Sequence, residues 1–297
     1  MTAVQERLAR TRSSLIHHIA RVDLRVSDIE RSLHFYRDVV GLEVVEQEGH
    51  RATLRSPGGP VFLTLDSSGV DAALDRSAAG LFHIAILFPD RAALGDVLAR
   101  LVSAGIQIGA GDHAVSEALY IDDPDGNGVE LYRDRPEDEW PPPTENMLVP
   151  MVTDPVDLQG VLAAGRGEGA VRSPVAAETR MGHVHLQAAD LDETVRFYAE
   201  ELGLDLTARM GSQAGFFSSN GYHHHIGANT WNSRGRAAAS SNAPGLQRIV
   251  FAVGAVEQLE DARARLRENK RAPSGDEKTL LVEDPNGVEL EFGEVAA

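Results

Sequence analysis

The sequence predicts an α+β fold made of four copies of one strand–helix–strands module, βαβββ. Two internal repeats carry that prediction. The first begins Arg21-Val22-Asp23-Leu24 and runs through Asp28-Ile29, Phe35-Tyr36 and Gly41-Leu42. It returns, without a gap, as His183-Val184-His185-Leu186, Asp190-Leu191, Phe197-Tyr198 and Gly203-Leu204. The second begins Gly80-Leu81, closes on Asp123-Pro124-Asp125-Gly126, and returns as Gly245-Leu246 with Asp284-Pro285-Asn286-Gly287.

Taken in order, each copy of the first repeat reads as an alternating strand, an acidic turn, a helix and a glycine stop. Ser27 and Glu30 have the spacing of a capping box, and Asp190 with Glu193 serves the same purpose in the later copy. Leu33, Tyr36 and Val40 recur at helical spacing, which assigns the Phe35-Tyr36 pair to core packing. Gly41 and Gly203 stand where a helix end needs a positive φ. The second repeat opens on apolar strands, 84–88 and 249–253, followed by helices over 91–104 and 256–269. A strand, the Asp-Pro-x-Gly turn and a last strand follow; proline then glycine suits a tight turn.

The modules therefore span about 18–66, 80–134, 181–231 and 244–293. Residues 1–17 are an N-terminal extension, 18–134 hold modules one and two, 135–180 form a linker, and 181–297 hold modules three and four. The linker is marked by Pro141-Pro142-Pro143 and a Gly/Ala-rich run at 163–170, with one short helix expected over Val156–Ala164.

Composition narrows the function. The 297 residues carry a net charge of −17, which repels phosphate backbones and excludes nucleic acid as an expected partner. The absence of cysteine removes disulfides, thiolate metal sites and cysteine nucleophiles together. No uninterrupted apolar run reaches the ~18 residues of a membrane span. The first fourteen residues lack an apolar secretory core, so a cytoplasmic protein without a membrane partner is expected.

This order of elements, with Asp-Pro-x-Gly before the last strand, resembles the vicinal oxygen chelate superfamily. That superfamily holds glyoxalase I, the bleomycin- and fosfomycin-resistance proteins and the type I extradiol dioxygenases. Four modules, the run from His113 through Tyr120 to Asp123-Pro124-Asp125-Gly126-Asn127-Gly128-Val129-Glu130, and Tyr222-His223-His224-His225 with Asn229 and Trp231 resemble bacterial catechol 2,3-dioxygenase-type proteins. The resemblance implies that pairs of modules form two open β-barrel-like cups. It also implies that metal ligands come from the first and last strands of each module.

Those positions can be read off the sequence. The first-strand position is Arg21, His83, His183 and Arg248 in modules one to four. Counting on from the turn glycine, the last-strand position is Phe62 or Leu63, Glu130, His225 and Glu291. Modules one and four offer two guanidiniums, which cannot ligate a cation. Modules two and three offer His83, Glu130, His183 and His225. The expected pairing is therefore two with three around the metal and one with four as a metal-free cup; the simpler pairing of three with four would use His183, His225 and Glu291.

Two histidines and a carboxylate with open positions suit non-haem Fe(II) and O₂ chemistry. The resemblance then implies an extradiol dioxygenase that opens the ring of a small aromatic diol with O₂. Fe(II) is the expected metal, with Mn, Zn or Ni as other divalent occupants. The family's tyrosine precedes the glutamate ligand by the spacing of Tyr120 to Glu130. His113 stands near the place of a family histidine, about two residues out of register. Tyr120, His113 and, where it is not a ligand, His225 are the candidate acid–base groups. His185 shares a face with His183 and is expected behind it. Relatives of this type often assemble, so a homo-oligomer is expected. The rival readings are a glyoxalase-like metal-dependent lyase or isomerase, which would use four filled ligand positions, and a non-catalytic small-molecule-binding protein.

Overall fold

The computed structural model describes residues 13–171 and 173–294. Most of the expected N-terminal extension, residues 1–12, lies outside the described residues.

Four modules follow one another. The first holds β1 (Ile16–Arg25), helix α1 (Ile29–Leu33, continued by a π-helical His34–Val40), β2 (Glu43–Glu48), β3 (Arg51–Arg55) and β4 (Val61–Asp66). The second holds β5 (Gly80–Phe88), α2 (Arg91–Ser103), β6 (Gly109–Asp112), β7 (Ser116–Asp122) and β8 (Gly128–Asp134). A short helix α3 (Leu158–Ala164) lies in the linker. The third module holds β9 (Arg180–Gln187), α4 (Leu191–Val195, continued by a π-helical Arg196–Glu201), β10 (Asp205–Met210), β11 (Ala214–Ser218) and β12 (Ile226–Asn229). The fourth holds β13 (Gly245–Val253), α5 (Glu257–Glu268), β14 (Thr279–Glu283) and β15 (Glu289–Gly293). Among the described residues no helix is long and apolar enough to cross a membrane.

Local chemistry sets these elements. On α2, Leu94, Val97, Leu98 and Leu101 are buried at helical spacing, and each such side chain contributes about 1.5–3 kcal/mol on leaving water. The helix caps are aspartates: Asp28, Asp90 and Asp190 each accept from a backbone N–H three residues on. The expected Ser27 cap is not made. The Ser27 hydroxyl and N–H both turn to Asp125, because that carboxylate reaches them across the module boundary. Gly41, with φ of 99°, ends the first helix as expected.

The strands form two sheets. One has eight strands in the order β10-β11-β12-β9-β5-β8-β7-β6, and the other seven in the order β14-β15-β13-β1-β4-β3-β2. Each curls into a half-barrel cup. Modules two and three thus share one cup through the antiparallel pair β5–β9, and modules one and four share the other through β1–β13. This is the pairing that the ligand positions required.

A second set of contacts ties the modules the other way. Tyr36 of module one donates to Asp123 in the turn of module two, and Tyr198 of module three donates to Asp284 in the turn of module four. All four residues are buried. The Phe-Tyr pairs are core residues, as expected, with their hydroxyls used as clamps.

The linker does more than connect. Leu148 and Val149 donate to the Thr207 carbonyl on edge strand β10. Val152 donates to the His113 carbonyl, and Asp154 and Asp112 exchange two hydrogen bonds at edge strand β6. Residues 148–154 therefore strap the two edges of the eight-stranded sheet across its open side.

Candidate active site

The concave face of the eight-stranded sheet brings three donors together. His83 comes from β5, Glu130 from β8 and His183 from β9. Their ligand atoms all lie within 4.8 Å of one another, and all three residues are buried. The strand register explains why. Ala85 pairs with both His183 and Glu130, so His183 and Glu130 lie on the strands either side of β5, with His83 two residues along it on the same face.

His83 Nε2 lies 2.9 Å and His183 Nε2 3.1 Å from the same oxygen, Glu130 Oε2. His83 Nε2 nevertheless makes no hydrogen bond. A buried imidazole nitrogen without a hydrogen-bond partner, aimed at a carboxylate, is the arrangement a divalent cation satisfies. The protonation states suit it as well. Burial pushes His183 down to about 4, which leaves its lone pair free at neutral pH. Burial works against the Glu130 charge, but His183 and His83 outweigh it and hold the carboxyl well below its usual range. Two imidazoles and one carboxylate, with no thiolate, fit iron, manganese, zinc or nickel equally.

The position expected to carry a fourth donor is empty of any side chain. In module two the residue opposite Ala85 is Glu130; in module three the residue opposite His185, the equivalent place, is Gly227. A Cβ on Gly227 would stand 2.7 Å from His185 Nδ1. His185 thus fills the space that a fourth ligand would need. The same register puts Thr64 at this position in module one and Glu291 in module four.

His225 is therefore not placed as expected. Residues 222–225 precede β12 rather than lying in it, so strand alternation does not apply to them. His225 Nδ1 accepts from the Ser219 N–H and bonds the Ser218 hydroxyl, away from the donor cluster. Burial pushes it down to about 3. Its neighbour His224 lines the central cavity instead, with its ring 4.2 Å from that of His183.

His224 ends a hydrogen-bonded chain. Asp134 Oδ1 accepts from His223 Nε2 at 2.9 Å, which leaves His223 Nδ1 as an acceptor in the neutral ring. His224 Nδ1 lies 2.8 Å from that atom and so carries the proton between them. The remaining nitrogen of His224, Nε2, is then unprotonated. Tyr222 donates to the other oxygen of Asp134 and bonds Tyr132.

On the opposite wall, Tyr120 and His113 meet. His113 Nδ1 lies 2.7 Å from the Val152 carbonyl, which can only accept, so that nitrogen carries the proton. Its Nε2 is then free to accept from the Tyr120 hydroxyl at 2.6 Å. Burial, reinforced by the Glu130 charge, raises the Tyr120 pKa and keeps the phenol protonated. His113 is followed by a turn at Ala114, where φ is 64°.

These groups surround a cavity of about 340 Å³ that also touches Phe82, Phe216, Trp231, Met210 and strap residues Met151 and Val152. Sequence reasoning missed His224 and the strap; Trp231 and His185 were singled out. A neighbouring cavity of about 650 Å³ shares Phe82, His83 and Tyr120 and reaches Arg76 at the rim. Among the described residues the other cup has no comparable donor set: Arg21 pairs with Asp23, and Arg248 with Glu289 and Glu291.

Comparison with known proteins agrees with this geometry. The family model described as Glyoxalase/Bleomycin resistance protein/Dioxygenase superfamily matches residues 15–131 and 180–292. A catechol-2,3-dioxygenase from Bacillus subtilis (strain 168) is 41% identical over 270 residues, covering 90% of this chain and 94% of that protein. A biphenyl-2,3-diol 1,2-dioxygenase 2 from Rhodococcus globerulus is 36% identical over 129 residues, 39% of this chain and 62% of that protein. In fold, glyoxalase I from Zea mays superposes with a TM-score of 0.53 at 15% identity, covering 93% of this chain and 92% of that one. The chain belongs to the glyoxalase/bleomycin resistance protein/dioxygenase superfamily and stands with its dioxygenases.

Proposed function

We propose that this chain is an Fe(II)-dependent extradiol dioxygenase that opens the ring of a catechol-type diol with O₂, using His83, Glu130 and His183 as the metal ligands. The single observation that carries the proposal is the three-donor set with glycine at the fourth position. Three donors leave room for a diol and O₂ together, whereas a lyase of the glyoxalase type was expected to fill all four. The 41% identity to a catechol-2,3-dioxygenase supports the same choice.

When bound, the metal supplies chelation of the two diol oxygens and electron exchange with O₂. The chain's own residues manage protons and water. His224 Nε2, left bare by the chain back to Asp134, is placed to take a proton from a diol hydroxyl. That is the role expected of His225 where it is not a ligand. Tyr120, held protonated, donates toward the cavity or to His113 Nε2, and the pair can return a proton to the opened product. Phe82, Phe216 and Trp231 exclude water and present ring faces and edges to an aromatic substrate. A non-catalytic binding protein would need neither proton chain.

The test is anaerobic loading with Fe(II), followed by O₂ uptake against a panel of catechols. Stoichiometric O₂ consumption with a ring-opened product is expected. Turnover of a thiol adduct with no O₂ consumption on any diol would replace this reading with the lyase.

A further inference from the structure

One segment reaches both walls of the central cavity. The linker between modules two and three meets the Tyr120–His113 pair at one end and the His223–His224 pair at the other. At the first end the Val152 N–H donates to the His113 carbonyl at 3.3 Å, and the Val152 carbonyl lies 2.7 Å from His113 Nδ1. That second bond keeps the His113 proton on Nδ1 and leaves Nε2 to Tyr120. Beside it, Asp154 and Asp112 hold the segment to β6.

At the other end the strap acts through Thr207 on β10. The Thr207 carbonyl accepts from the N–H of Leu148 at 2.7 Å and of Val149 at 3.1 Å. The Thr207 hydroxyl lies 2.7 Å from the His223 carbonyl and 3.2 Å from that of Phe216, so its shorter bond goes to His223. Thr207 itself is buried and stands outside the cavity lining. Trp140, just before the strap, sets its ring 5.6 Å from that of His223 and donates from Nε1 to the Arg135 carbonyl. Met151 packs against the Phe216 cluster, and the Phe216 ring lies 5.0 Å from that of His224.

The segment is stiff as well. Prolines stand at 141, 142, 143, 150 and 155. Each fixes φ, so a displacement at one end is carried along the chain rather than absorbed.

We propose that linker residues 140–154 are one positioning element for proton transfer. They set the tautomer of His113 through Val152 and hold the His223–His224 loop through Thr207 and Trp140. The words proton transfer rest on the dioxygenase reading; the tautomer and the placement rest on these contacts alone. The strand ladders fix neither group, because His113 follows the end of β6 and His224 precedes the start of β12. The two stand on different modules and opposite walls, and the linker supplies the common reference that the strands do not.

The experiment is steady-state kinetics on the Fe(II)-loaded protein and its Thr207→Val, Thr207→Ser and Val152→Pro variants, with metal content and anaerobic diol binding measured beside them. Thr207→Val keeps the shape and the carbonyl and removes the hydroxyl bond to His223. Its kcat should fall by about tenfold or more with diol affinity and metal unchanged, and Thr207→Ser should restore it. Val152→Pro removes the N–H that holds the strap on His113, and kcat should fall by a similar factor. Both act through one stiff segment, so the double variant should lose well under the product of the two losses. NMR of isotope-labelled histidine in the Zn(II)-loaded protein reads the tautomer directly, with the His113 signal assigned by its loss in His113→Gln. The parent should show His113 protonated on Nδ1, and Val152→Pro should mix in the Nε2-protonated form. A two-glycine insertion after Thr153 loosens the same contact should Val152→Pro fold poorly. Unchanged kcat in both single variants overturns the proposal, as does a loss confined to KM or one that multiplies in the double variant. A His113 signal that loosening the strap does not move overturns it too. A parent protein with no O₂ uptake on any diol would remove the dioxygenase reading instead, and the imidazole signal would still decide whether the strap sets His113.

Discussion

Gly227 offers the sharpest test of the three-donor site. A Cβ added there would meet His185 at 2.7 Å from Nδ1, 3.0 Å from Cγ and 3.1 Å from Cε1. The imidazole has little room to retreat. Its ring centroid lies 5.0 Å from His83, 5.2 Å from Phe82, 5.7 Å from Phe216 and 5.9 Å from Trp231. Overpacking of this kind costs about 1–3 kcal/mol. Replacing glycine stiffens the unfolded chain and returns about 0.4–1 kcal/mol where the backbone accepts alanine. Gly227→Ala should therefore destabilise the protein by up to ~2.6 kcal/mol, about 1.3 kcal/mol at the middle of both ranges, a fall in Tm of about 3–5 °C at the ~2–4 °C per kcal/mol typical of larger domains. The displaced imidazole pushes on His83, so bound metal should fall as well. Thermal unfolding and metal per chain measure the two effects. A Gly227→Ala protein with unchanged Tm and full metal content would mean that His185 does not guard the fourth position. A Gly227→Glu protein that bound metal more tightly would return the site to the four-ligand type.

Four further outcomes are expected. His83→Ala, Glu130→Ala and His183→Ala should each strip the metal with the circular dichroism preserved, whereas Glu291→Ala, which removes one of the two carboxylates paired with Arg248, should keep it; metal loss in Glu291→Ala alone would move the centre to the other cup. Tyr120→Phe should lower turnover by about 10²–10⁴-fold and leave metal content intact, since the phenol hydroxyl moves protons rather than holding the cation. Asp134→Asn keeps the shape of the Asp134–His223–His224 chain but removes its charge. Turnover should fall within the same range without metal loss, and unchanged turnover would reduce the chain to packing. His225, about 3 when folded and near 6.5 when unfolded, makes the unfolded chain bind the extra proton between those values. Its contribution is therefore a loss of stability as pH falls below about 6.5, approaching 1.4 kcal/mol per pH unit, and urea midpoints of His225→Asn against the parent should show a shallower slope.

What the sequence made legible, and what it did not, divides along one local feature. Modules two and four carry Asp-Pro-x-Gly before the last strand. There the aspartate ties its own turn: Asp123 accepts from the backbone of Asp125 and Asn127, and Asp284 from Asn286 and Val288. A turn fixed by its own side chain fixes the register of the next strand, and counting from its glycine lands on Glu130 and Glu291, where the sheets place them. Modules one and three lack that turn. Counting from Gly221 lands on His225, two residues short of Gly227, because Asn220 and Gly221 both take positive φ and the chain loops through 222–225 before pairing. In module one the count to Phe62 or Leu63 likewise falls short, of Thr64, which the register puts opposite Asp23. The strap was illegible for a different reason. Its placement rests on backbone hydrogen bonds to Thr207, His113 and Asp112, and backbone groups leave no trace in a side-chain pattern. The three clustered donors His83, Glu130 and His183 were legible because each lies within a strand, where side chains alternate between the two faces.

The two interleaved pairings explain how a buried site can be built on so few residues. The donors come from both halves of the sequence, and only the β5–β9 register brings them together. Alternation along a strand means that a slip of one residue would turn His183 and His185 to the other face and empty the site. Two sheets alone would resist such a slip only through their own ladders. The buried Tyr36–Asp123 and Tyr198–Asp284 bonds add a second constraint, since each holds a helix of one cup against a turn of the other. A slip at β5–β9 would have to drag both helices with it. The cup of modules one and four, closed by Arg248 with Glu289 and Glu291, thereby acts as a frame that fixes the register of the cup that holds the donors.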